Sequence, residues 1–241
     1  MIEEQTAGVE LNEESMTSEE LAALMDSRAG FYRFASNALL HEFTEEQIAQ
    51  LKTMIVNEEA SEEMLSAFAK IKRYLAHAGT DPRTDMAVDY ARVFLSAGVY
   101  NGLTAEPYES VFTSEDQLMM QDARDDVVKV YRSQGIDVDP ELHMPEDHLG
   151  LELDFIATTS ARCAQLIRQA DEEQGDYTQA AEVVRVQRDF IINHILNWID
   201  ALIEKVDEFA KLPLYPAIMR IIKNQAQQDI CFLGEVYEAL K

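Results

Sequence analysis

"TSEELAALMDSRAGFYRFASNALL", Thr17 to Leu40, sets the pattern for the whole chain. Thr17 followed three residues later by Glu20 is a capping box, a reciprocal exchange of hydrogen bonds that starts a helix. Behind it Leu21, Leu24, Met25, Arg28, Phe31, Tyr32, Ala35 and Leu39 recur at the three- and four-residue spacing of one helix face. The same grammar repeats downstream. Thr44 to Gln47 forms a second box, Ser61 to His77 reads as a third helix, and Asp81-Pro82 gives an N-cap with proline in the first turn. Ser114 to Gln117 reads as the cap of a helix that runs to about Ser133 and stops at Gly135. Helices are then expected from Asp147 to about Glu172, from Tyr177 to Lys211 with a division near Asn193, and from Tyr215 to Ala239. Gly175 breaks the chain between the first two of these. No segment alternates with the period of a strand. The expectation is one all-α domain over residues 17–241, of about nine to eleven helices, behind a frayed N-terminus at 1–16. That is too many helices for a simple four-helix bundle.

Composition agrees with a packed protein. Hydrophobic residues make up 47% of the 241, and nine glycines and six prolines are too few for a fold built on tight turns. The formal charge of −25 would repel nucleic acid and anionic membrane surfaces and attract a cationic partner. Cys163 and Cys231 have no metal-ligand spacing and both fall in apolar helical patterns, so both are expected as reduced core thiols. The acidic N-terminus lacks the pattern of a secretory signal, and no apolar run approaches the ~20 residues that span a bilayer. A soluble, cytoplasmic protein is expected, without stable membrane insertion.

The stretch that invites chemistry is "HMPEDHLGLELDF", His143 to Phe155. An Asp147–His148 catalytic dyad fits poorly, because neighbours on a helix point about 100° apart and no nucleophile motif accompanies them. His148 and Glu152 share a helix face and offer two metal ligands, but neither HExxH nor an ExxH pair is present. No glycine-rich phosphate loop exists. Two readings stay open: acidic residues that cap a helix start, or a helix start that lines a groove and meets a basic guest. Upstream, "SAGVYNGLTAEPYESVF" from Ser96 to Phe112 is the one long irregular stretch, and such a loop inside a compact domain usually has a role.

Three blocks carry a family resemblance. "MPEDHLGLELDF" from Met144 resembles the E-P-x-D-H signature of the TorD/DmsD family of redox-enzyme maturation chaperones. "DYARVFLSAG" from Asp89 and "EPYESVFTSEDQL" from Glu106 are similar to that family's Y-x-R-L-F and P-[YW]-x-S-V-[YW] segments. "FIINHILNWIDAL" from Phe190 is similar to its F-x-x-x-H-L-x-x-W run, and the tail from Leu214 resembles its last helix. Met144 departs from the pattern, since the family commonly places Glu before the proline.

The resemblance implies a TorD-like helical chaperone that is no enzyme and has no cofactor of its own. Its partner would be the precursor of a molybdopterin-containing oxidoreductase, held by its twin-arginine leader while the cofactor is inserted and export is delayed. The alternative client is a cytoplasm-facing molybdoenzyme subunit recognised without a leader. Peptide-binding residues carried over are Pro107, Tyr108, Ser110 and Val111 of one block and Pro145, Asp147 and His148 of the other. Glu109 and Glu152 join them as carboxylates suited to guanidinium forks, with Glu106 nearby. Tyr100, Tyr108, Phe112 and Trp198 supply aromatic surface, although Trp198 reads first as a core residue and His194 as an inter-helix histidine. On this reading the exposed first turn of the Asp147 helix faces the guest. The family's habit of exchanging helices leaves monomer and swapped dimer both open.

Overall fold

The computed structural model describes residues 16–55, 60–97, 105–172 and 175–241. Residues 1–15, expected as a frayed end, and Tyr100 lie outside them. Ten α-helices follow in order: α1 Ser18–Leu40, α2 Glu45–Thr53, α3 Glu62–His77, α4 Pro82–Phe94 and α5 Glu109–Thr113, then α6 Asp122–Ser133, α7 Leu149–Glu172, α8 Thr178–Phe190, α9 Ile199–Phe209 and α10 Leu214–Ala239. A 3-10 turn covers Pro140–Leu142, and a π-helical turn, Ile191–Ile195, continues α8. Among the described residues the only β-type pairing is an isolated antiparallel bridge between Tyr108 and His148.

Local sequence accounts for most helix starts. Thr17 and Thr44 form the expected boxes with Glu20 and Gln47. Ser61 caps α3 through the Met64 amide, and Asp81 caps α4 with Pro82 in the first turn. Gly135 and Gly175 take φ of 66° and 88°, the left-handed conformation that stops a helix and that glycine adopts without strain.

α1 and α7 pack along their lengths, α8 lies against α7, and α3, α8 and α9 lie against α10. The core runs through all of these, with Tyr32, Phe155, Phe190, Trp198 and Tyr215 fully buried. Tyr131 stacks on Phe155, which packs on Phe190. This aromatic layer fixes α6 and the end of α8 beside the start of α7, where the signature segments meet.

Three expectations need correction. Ser114 does not start α6. It ends α5, Gln117 takes a φ of 53°, and the helix begins at Asp122. α7 begins at Leu149 rather than Asp147, because the backbone of 147–148 is used in pairing with 107–109. Cys163 is buried as expected, but Cys231 is exposed on the outer face of α10.

Candidate functional site

The two central signature segments form one structure. Every helix leaves its first four amides without partners inside the helix. For α7 these are met as follows. Leu149 N–H donates to the Pro107 carbonyl at 2.8 Å, and Gly150 N–H to His148 Nδ1 at 3.0 Å. Leu151 and Glu152 donate to the His148 carbonyl at 2.8 and 3.0 Å. His148 is thus an N-cap that uses its imidazole as acceptor. The start of α5 is met from the other side. Glu109 N–H donates to the Asp147 carbonyl at 2.9 Å, and Ser110 N–H to Asp147 Oδ2 at 2.9 Å. Asp147 caps the partner segment's helix, and Tyr108 stands edge-on to His148 with ring centres 5.0 Å apart.

Glycine at 150 is required by this closeness. A Cβ there would lie 2.6 Å from Leu40 Cγ at the end of α1 and 3.0 Å from His148 Nδ1. The start of α7 therefore presses on α1 and on its own cap at once.

The third signature segment is tied in by Glu109. Its carboxylate meets His194 Nδ1 at 2.9 Å and accepts from Asn197 Nδ2 at 2.8 Å. His194 sits in the π-helical turn, a local widening that recurs at functional sites. The His194 carbonyl accepts from Trp198 Nε1 at 2.6 Å, and Trp198 stacks on Phe112 of α5. On the outer side Glu146 takes a two-point ion pair from Arg124 of α6, with Nε and Nη2 at 2.6 and 3.0 Å.

Burial governs the titration of the inner groups. The His148 pKa is pushed down to about 3 by burial, in agreement with an Nδ1 that accepts a hydrogen bond. Asp147 is raised by burial despite its bonds to Ser110, and its Oδ1 has no hydrogen-bond partner among the described residues. Glu152 is held well above the usual carboxylate range, first by complete burial and then by the charges of Glu109 and Asp147. Neither Glu152 oxygen has a hydrogen-bond partner among the described residues, and the carboxylates of Glu109 and Asp147 are the charges that act on it. Both causes favour the neutral form of the Glu152 carboxyl.

These positions bear on each residue singled out in the sequence. Pro107, Glu109, Ser110, Val111, Asp147, His148 and Glu152 are buried, while Tyr108, Pro145, Glu106 and Phe112 keep part of their surface. The first turn of α7 is not the exposed guest-facing turn expected: its residues are spent on capping and packing. Trp198 is a core aromatic and His194 an inter-helix histidine, as read. A catalytic dyad has no geometric basis here, since Asp147 turns to Ser110 and His148 to Gly150. Asn197 and Arg124 belong to the site and were not singled out. Asn197 had a signal, standing three residues after His194 on one helical face. Arg124 had none, because its partner lies in another segment.

The chain matches the profile of the family described as nitrate reductase delta subunit over residues 57–204. It is 28% identical over 230 residues to a chaperone protein TorD of Vibrio cholerae serotype O1 (El Tor Inaba N16961), covering 91% of this chain and 98% of that one. A chaperone protein TorD of Vibrio parahaemolyticus is 24% identical over 222 residues, covering 89% and 98%. One of Photobacterium profundum is 25% identical with the same coverage.

Proposed function

The chain belongs to the nitrate reductase delta subunit family, and from that premise we propose that it is the cytoplasmic maturation chaperone of a molybdopterin-containing oxidoreductase. It is a chaperone and not an enzyme, like the TorD proteins to which it is similar over nearly its whole length. In this reading the client is a precursor held by its twin-arginine leader, so that export waits until the cofactor is inserted. No helix among the described residues is long and apolar enough to cross a membrane, which suits a partner met in solution.

The observation that carries the reading is convergence. Three segments that are far apart in sequence cap, bridge and hydrogen-bond with one another at one place, around Tyr108–His148 and Glu109–His194. The chain's formal net charge of −25 favours a basic guest, and bidentate Arg–carboxylate bonds are the strong means of holding an arginine pair. Tyr108, Pro145 and Glu106 offer the accessible part of the signature. Pro107, Glu109, Ser110, Val111, Asp147, His148 and Glu152 act beneath them by fixing the backbone that presents them.

Synthetic twin-arginine leaders from the host's reductases, titrated against the full chain, should bind at least about tenfold tighter than scrambled peptides, a difference of ~1.4 kcal/mol. Equal binding by both sinks the proposal. The double variant Asp147→Asn/His148→Ala should weaken leader binding while helicity is kept; loss of the fold instead would leave these residues a purely structural role. The family's description favours one second reading, recognition of a reductase subunit itself. Binding that survives deletion of the client's leader would select it.

A further inference from the structure

With most signature residues buried, a guest has to be met by other side chains, and the structure gathers a set of them next to the site. Between α5 and α6 the chain turns Leu118, Met119 and Met120 outward, 57, 44 and 57% exposed. Single exposed apolar residues are ordinary, but three in a row facing water are not. Met120 forms one wall of an open cleft of about 390 Å³, whose other apolar lining is Val138, Met144 and Pro145. Leu142, also exposed, adjoins this wall in the chain. Its lining includes Glu146, one residue before Asp147, which sets the cleft beside the capped junction.

The backbone holds this surface open against its own preference. Gln117, Met120 and His143 have φ of 53°, 63° and 49°, three of the four non-glycine residues in the left-handed region among those described. Side chains other than glycine avoid that region, and such outliers concentrate at working surfaces. The rim is acidic. Residues 114–146 hold nine carboxylates against three basic residues. Two of those three, Arg124 and Lys129, are already paired, with Glu146 and Asp126. Glu115, Asp116, Asp122, Asp125, Asp139 and Glu141 all face solvent.

A methionine-lined cleft built from segments rich in exposed carboxylates fits one kind of occupant: a flexible peptide with a basic pair followed by an apolar stretch. Methionine's unbranched, polarisable side chain adapts to varied apolar guests, which suits a surface that must accept a peptide without a fixed shape. We propose that the Met120–Met144 cleft seats the apolar stretch of such a peptide, with the exposed carboxylates of the segments that line it taking the basic pair. This rests on the leader-binding reading above and gives it a surface. It also gives a role to Met144, where the chain replaces the family's usual Glu: the exchange makes the floor of the cleft apolar.

The test uses the full chain with methyl-13C methionine and a synthetic peptide carrying an Arg-Arg pair and a leucine-rich segment. The expected result is that the Met119, Met120 and Met144 methyl signals shift on titration while those of the buried Met25, Met86 and Met219 stay in place. Met120→Glu and Met144→Glu should each weaken the peptide about tenfold or more, since each exposes apolar surface of the guest to a charge. Added salt should weaken wild-type binding as well. Binding that leaves these three methyls unmoved, or that both variants retain at full strength, overturns the cleft and leaves the leader-binding reading standing. Absence of any binding by the wild-type chain overturns both. Shifts of the same methyls with protein concentration alone would give the face to a second copy of the chain, and the proposal would fall.

Discussion

Two buried polar clusters lie in this molecule, and they solve the problem of charge in opposite ways. The first pins α1, α7, α8 and α10 together. Arg28 donates to Asp229 from Nε and Nη2 at 3.0 and 2.7 Å, and from Nη1 to Ser160 and Gln187 at 3.1 and 3.0 Å. Tyr32 and Gln225 supply Asp229 with further donors at 2.7 and 2.8 Å. One cation meets one anion, and the charge closes. The second cluster, at the junction of α5, α7 and the π-helical turn, sets Glu109, Asp147 and Glu152 around a single His194 contact. Carboxyl groups crowd there without a fixed cation, and burial with the neighbouring charges raises the Glu152 pKa and favours its neutral form. The first arrangement balances its charges within itself; the second holds a carboxyl whose neutral form burial favours. Scaffold and signature are therefore separable by experiment.

The largest effect is expected in the balanced cluster. Arg28→Met would leave Asp229 charged, buried and without its cation, a loss of about 3–5 kcal/mol. For a chain of this size that is a fall in Tm on the order of 10 °C. Adding Asp229→Leu should return most of the stability, because removing both charges removes the desolvation penalty with them. If the double variant is no better than the single one, the cluster is held by packing rather than charge.

His148 gives the next effect, and it links capping to pH. His148→Ala removes the acceptor for the Gly150 amide, leaving a buried donor unpaired at a cost of about 1–3 kcal/mol. His148→Asn can return an acceptor and should recover part of that loss. The native imidazole titrates near 3 when folded and near 6.5 when unfolded. As pH falls through 6.5 the unfolded chain takes up a proton that the folded chain refuses, so stability declines steadily from pH 6.5 towards 3. Urea unfolding at several pH values should show this acid limb in the wild type and a flatter one in His148→Asn. An unchanged slope would place the acid sensitivity elsewhere.

Sequence reading recovered what is local. The caps at Thr17, Thr44 and Asp81 are exchanges within three residues, and each folds as its spacing says. The false cap at Ser114 had the same spacing, but tertiary contacts overrode it: Ser110 Oγ accepts from the Gln121 amide and sets the later start of α6. The reciprocal capping of α5 and α7 was not legible at all, since Ser110 and Asp147 are 37 residues apart and no local rule joins them. Family resemblance marked both segments as important without saying that most of their residues face inward. Two signals were present in the periodicity. Arg28 falls within the apolar stripe of α1, and Glu152 stands between Leu149, Leu153 and Ile156 on the buried face of α7. A charged residue at a core position of an amphipathic pattern announces a buried partner, though not which one.

Glu152 carries the smallest prediction and the most telling sign. Its folded pKa lies above its unfolded value of about 4.3, so the unfolded chain loses the proton first as pH rises. Stability from this group is therefore full below about pH 4 and declines as pH climbs towards the folded pKa. That is the reverse of the His148 limb, from a residue four positions along the same helix. Glu152→Gln keeps the shape, supplies N–H donors to Glu109 without needing a proton, and removes the titration. It should stabilise the chain by about 1 kcal/mol at pH 7–8, or about 2–4 °C in Tm, with the gain vanishing near pH 4. A gain that persists at pH 4 would mean that packing, not protonation, separates the variant from the parent. A loss at neutral pH would mean that Glu152 is ionised in the fold, and the contrast between a balanced and a proton-dependent cluster would fail at its weakest-charged member.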